Sequence, residues 1–158
     1  MTLMVSRRLF TVALVWLTLT VLNSTAKAAA AATPKAVFVI VDGVPADVVE
    51  RVATPAIDAI AAAGGYGRAT VGGPIGEPGE TPTISAPGYM SLITGTWANK
   101  HNVYKNYGIS PDYSYWNLFR LARSEKPELR LGIFSTWTDN RTILLGEELA
   151  EGGNWRFD

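Results

Sequence analysis

Apolar residues run without a break from Ala36 to Val41, and Asp42-Gly43 closes the run. A short apolar stretch with no polar alternation fits a strand covered on both faces, as in a parallel sheet. Thr54-Pro55 then reads as a helix start, with proline at the first helical position. Ile57, Ile60 and Ala61 make its apolar face, and Gly64-Gly65 ends it. Arg68–Val71 fits a second strand, and Gly72–Thr81 is a loop of Gly, Pro and Glu with turn chemistry throughout. The spacing of Pro87, Met90, Ile93 and Thr94, stopped by Gly95, predicts a helix of two to three turns capped by Ser85. Residues 102–116 are rich in Tyr, Asn and Gly and show no period. Asn117–Arg123 reads as a helix with Leu118, Leu121 and Ala122 inward, Leu131–Trp137 as a strand, and Thr142–Ala150 as a last helix. Strands alternating with helices predict an α/β fold with a largely parallel sheet and right-handed crossovers.

The first 28 residues follow a different pattern. Arg7-Arg8 precede an apolar stretch from Leu9 to Leu22, and Ala26-Lys27-Ala28 offers a small-x-small cleavage site. This is the pattern of an export signal, and Ser6-Arg7-Arg8-Leu9-Phe10 also resembles a twin-arginine signal. The stretch is short for a spanning helix, which needs about 20 residues; a membrane role is expected only if the signal stays uncleaved. The Ala-rich residues 29–35 read as a flexible lead-in. The expected location is periplasmic or secreted.

Charge narrows the partners. Removing residues 1–28 takes Lys and Arg from 14 to 11 and leaves Asp and Glu at 14, a net charge of −3. That is no basic footprint for nucleic acid. The chain has no cysteine and one histidine, which excludes a disulfide framework and a thiolate metal site.

The candidate chemistry begins at Asp42. In open α/β sheets ligands bind outside the carboxyl ends of the strands, and a carboxylate there can serve a divalent ion. Asp-Gly is equally a turn signal. Ser85 is the candidate nucleophile: a free serine hydroxyl is weak, and a helix N-terminus favours its anionic form. It reads equally as a plain cap, and Thr83 is the rival hydroxyl. His101 is the lone imidazole, and Asn106 sits in a turn-like Tyr-Lys-Asn-Tyr-Gly segment.

Taken together, these segments resemble the alkaline phosphatase superfamily, and within it the type I phosphodiesterase / nucleotide pyrophosphatase family. Asp42-Gly43 falls on that family's metal-ligand strand, Thr54-Pro55-Ala56-Ile57-Asp58 on its first-helix pattern, and Ser85-Ala86-Pro87 through Thr94-Gly95 on its nucleophile helix. His101 and Asn106 follow in the family's order, and the likeness covers roughly residues 36 to 140. The resemblance implies an alkaline-phosphatase-like sandwich and hydrolysis of a phosphodiester or pyrophosphate bond in a small-molecule substrate. It implies Ser85 as nucleophile and Asn106 as donor to the phosphoryl oxygens. It further implies two divalent metal ions, of zinc type, with Asp42 and Ser85 as ligands of one. The family's metal histidines lie well downstream, which makes His101 structural.

Two departures stand out. Ala86 replaces an aromatic that stacks on a nucleobase in many relatives, so a nucleotide preference is not expected. Tyr89 stands where sulfatases of the superfamily carry arginine, which disfavours that branch. Residues 36–158 are expected to be the N-terminal part of a phosphodiesterase-like catalytic domain, inactive by itself, because the chain stops at Asn154–Asp158 without a closing element. The competing readings are a non-catalytic exported α/β fragment or binding protein, and a phosphomonoesterase or sulfatase of the same superfamily. Tyr104, Tyr107, Tyr113, Tyr115 and Trp116 read either as a substrate wall or as a packed loop.

Overall fold

The computed structural model describes residues 34–158. The expected signal segment, 1–28, lies outside them, as does most of the lead-in. The chain divides into two units, Met1–Val39 and Ile40–Asp158. The described part of the first, residues 34–39, carries no regular structure, with Val37 85% and Val39 71% exposed.

The second unit is built from helices and ordered turns. Five α-helices follow in order: α1 Ala46–Arg51, α2 Pro55–Ala63, α3 Ser85–Thr94, α4 Ala98–His101 and α5 Leu118–Glu125, with a π-helical turn at Asn140–Leu144. Among the described residues there is no strand, so the expected parallel-sheet α/β sandwich is corrected. The runs expected as strands at 36–41, 68–71 and 131–137 are irregular and form no ladder; Leu131 alone bonds to Asp158, and Phe134 is fully exposed at 104%. The physical reason is that an apolar run records a capacity to be covered, whereas a strand exists only through ladder hydrogen bonds to a neighbour. No described segment supplies that neighbour.

Helix ends follow local chemistry. Thr54 precedes Pro55 at the start of α2, and Gly64 closes it. Its apolar face is not covered: α2 has no buried residue, and Ile60 is 73% exposed. Helix α3 ends at Gly95 in the left-handed region, φ 68°, a conformation that favours glycine. Its start differs from the expectation. Ile84 is the N-cap, Ser85 is the first helical residue, and no side chain caps the end. In α5 the Asn117 side chain accepts from the N–H groups of Phe119 and Arg120 at 3.0 and 2.9 Å. The inward residues of α5 also differ: Phe119 packs on the core, while Leu118 and Leu121 are exposed. The helix expected over Thr142–Ala150 shrinks to the π turn, after which Gly146 turns the chain at φ 68°.

Helix α3 packs against α4 and the π turn. The core is small: Ala86, Met90 and Ile93 from α3 meet Val103, Leu144, Leu145 and Trp155. Phe119, Trp155 and Phe157 close one side as an aromatic triplet with ring centroids 4.9 to 6.3 Å apart. Five residues of α3, Ala86, Pro87, Met90, Ser91 and Ile93, are buried, while Ile84 just before it is exposed and Ser85 is half-buried. Among the described residues no helix is long and apolar enough to cross a membrane.

Candidate active site

Two pieces of backbone far apart in sequence meet at the N-terminus of α3. One is the Asp42-Gly43 turn, where Gly43 takes φ 74°, a value glycine adopts without steric cost. The other is the first turn and a half of α3. Ser85 Oγ donates to Asp42 Oδ2 at 2.8 Å, and Tyr89 Oη donates to the same oxygen at 2.8 Å. These two hydrogen bonds, Tyr89's first and Ser85's second, hold the Asp42 carboxyl below the ordinary carboxylate range. The Tyr89 phenol is pushed up, by burial first and then by its bond to Asp42. At neutral pH the cluster is therefore one carboxylate holding two neutral hydroxyls.

Asn106 joins from the other side. Its Oδ1 accepts from the Ala86 N–H at 2.9 Å, one residue beyond Ser85. This changes what the helix N-terminus offers. The Ala86 N–H is taken, Pro87 has none to give, and the Gly88 N–H already bonds to Ile84 O. With its oxygen committed, the Asn106 Nδ2 is the part of that amide that can donate to a ligand. Ala86, the position of the missing ring, is 0% exposed and belongs to the core.

Thr83 is exposed and bonds to neither Asp42 nor Asn106. His101 is fully buried. Its Nδ1 accepts from the Val103 N–H at 3.1 Å, which leaves the proton on Nε2. Nε2 lies 2.9 Å from Ser91 Oγ, and that hydroxyl donates to Pro87 O at 2.8 Å. The imidazole thus ties α4 to α3, and burial pushes its pKa down to about 4.

The aromatic segment is divided among local partners. Tyr113 donates to the Ile143 carbonyl, Arg120 lies 4.2 Å over the Trp116 ring, and Tyr107 meets Trp137 edge-on at 5.8 Å. A separate cleft of about 630 Å³ is lined by Arg123, Arg141, Glu147, Trp155 and neighbouring residues, and includes none of Asp42, Ser85, Tyr89 or Asn106.

Sequence reasoning singled out Asp42, Ser85 and Asn106, and the structure brings all three to one end of α3. It missed Tyr89 as a partner of the carboxylate. The signal was available in principle, since residues four apart on a helix share a face.

A model of the type I phosphodiesterase / nucleotide pyrophosphatase family matches residues 36–152. The chain belongs to that family. Its kind is a hydrolase of phosphoester bonds. No curated protein and no solved structure matches the chain.

The metal ions that the family implies can be tested against the donors present. Asp42 and Ser85 bring two oxygens together, but among the described residues no group of three or more His, Cys, Asp or Glu could hold an ion. A two-metal centre needs several such ligands and their supporting partners. The donor set of these residues does not fit one.

Proposed function

We propose that this domain cleaves phosphodiester or pyrophosphate bonds by attack of Ser85 Oγ on phosphorus. The observation that carries the reading is the Ser85–Asp42 hydrogen bond at the start of α3, in a chain whose residues 36–152 match the family. Asp42 holds the hydroxyl in one direction. As the Oγ–P bond forms and the ester P–O bond breaks, the hydroxyl proton passes toward Asp42. The leaving oxygen takes a proton from water. Water then attacks phosphorus, the Ser85–phosphate bond breaks, and the serine is restored. Asn106 Nδ2 donates to a non-bridging oxygen, where charge builds in the transition state. Asp42 is a weak base, because its two hydrogen bonds lower its pKa; its contribution is chiefly orientation.

Ser85→Ala is expected to abolish the covalent phosphoryl-enzyme and reduce turnover of a simple phosphodiester by at least about 10³-fold. Thr83→Ala should stay within about threefold of wild type. Mass spectrometry of the trapped intermediate, with turnover measured on both variants, checks this. Equal losses at both positions would assign the chemistry to neither hydroxyl.

A further inference from the structure

Ser85 and Tyr89 lie four residues apart on α3, so their side chains rise from one face of the helix. Both hydroxyls donate to a single atom, Asp42 Oδ2. An ionised carboxylate oxygen offers about two lone-pair sites, and these two donors use them. Asp42 itself sits on an exposed turn next to a left-handed glycine. Among the described residues no other side chain bonds to it, and the backbone N–H of Gly43 adds only a lesser hold on the charge. Tyr89 differs in character from both neighbours: its ring packs on the core cluster while its hydroxyl reaches the turn.

We propose that Tyr89 is a positioning residue for the reaction at Ser85. Its core-anchored ring fixes the Asp42 rotamer, and Asp42 in turn fixes the direction in which Ser85 presents Oγ. Without the Tyr89 hydroxyl, the only side chain left holding the carboxylate would be the one it is meant to orient. A side chain locked by packing is what such a site needs from its support. The inference rests on the reading of Ser85 as nucleophile given above.

The test uses the full chain and Tyr89→Phe, which keeps the ring and removes only the hydroxyl. The first readout is the rate at which an alkyl phosphorofluoridate labels Ser85, followed by mass spectrometry. In that step the Oγ–P bond forms, the P–F bond breaks, fluoride leaves, and the hydroxyl proton passes by way of Asp42 to solvent. Tyr89→Phe should label about tenfold more slowly, the size expected for one hydrogen bond to a charged group, with its Tm within about 2 °C of wild type. The second readout is the same substitution in an Asp42→Ala background, which removes the acceptor that both hydroxyls share. If Tyr89 acts through Asp42, it should there have less than about a twofold effect. Wild-type labelling by Tyr89→Phe, equal losses in both backgrounds, or no Ser85 adduct in the wild-type chain would each overturn the proposal. Failure of the hydrolase reading looks different: no turnover of bis-p-nitrophenyl phosphate, with the labelling pattern intact, leaves Tyr89 in its positioning role.

Discussion

At the scale of single residues, the lone histidine shows how far a side chain's chemistry depends on its surroundings. An imidazole near a nucleophile invites a role in metal binding or proton transfer. His101 is instead enclosed, with both ring nitrogens spent on the Val103 N–H and on Ser91. Burial holds it neutral, with a pKa pushed down to about 4 from an ordinary 6.5. The linkage sign follows. Between these values the unfolded chain binds a proton that the folded chain does not, so stability rises with pH across the window. It is fully present above pH 6.5 and is lost as pH falls toward 4. Glu50, held at about 2 by Arg68 and Tyr66, adds its own loss as pH falls from 4.5 toward 2. Urea unfolding should therefore show a loss of about 2–3 kcal/mol between pH 6.5 and 4.5 from this one residue. His101→Asn should flatten that slope while lowering stability at pH 7. An unchanged slope would place the titration elsewhere. Sequence alone could expect a structural role from the family's order of residues, but not the buried Ser91–Pro87 relay.

At the scale of elements, what was legible was what neighbours in sequence decide. The Thr54-Pro55 start and Gly64 stop of α2, the Gly95 stop of α3 and the Asn117 start of α5 all lie where their end chemistry puts them. The lack of strands among the described residues was not legible, because a ladder depends on a partner that periodicity cannot name. The inward face of α5 was misread for a related reason: Leu118 and Leu121 are apolar, but Trp155 and Phe157 arrive from far along the chain and meet Phe119 instead. Asn117 joins both levels. Its oxygen caps α5, and its Nδ2 donates to the Leu145 carbonyl at 3.0 Å in a buried setting. Asn117→Ala should remove a cap worth about 1 kcal/mol and strand a buried carbonyl at about 1–3 kcal/mol. Chemical denaturation should find it less stable by about 2–4 kcal/mol. Asn117→Ser keeps an acceptor for the helix and should lose roughly half as much. If both variants cost the same, the Leu145 contact carries the effect and the cap little.

At the scale of the whole molecule, the question is where the carboxylates go. The chain has 14 Asp and Glu, one His and no Cys, and residues 1–33 contain none of these four types. Several of the acids are already committed. Asp47 pairs with Arg51, Glu50 with Arg68, Glu147 with Arg141 and Asp158 with Arg123. What is left is dispersed, and no three potential ligands converge among the described residues. The Asp42–Ser85 pair offers one edge of a coordination shell and stops there. A zinc titration of the purified chain should accordingly find fewer than two tightly held equivalents, and Asp42→Ala should abolish whatever single site is seen. A calorimetric isotherm read beside elemental analysis separates tight from adventitious binding. Two tight equivalents surviving Asp42→Ala would mean that carboxylates now paired with arginine rearrange to bind metal, and the ion pairs at Arg68 and Arg141 would be the first to examine. One tight equivalent lost with Asp42, and unaffected by Tyr89→Phe, would place the ion on the carboxylate's other oxygen, Oδ1, because Oδ2 is the atom that both hydroxyls occupy.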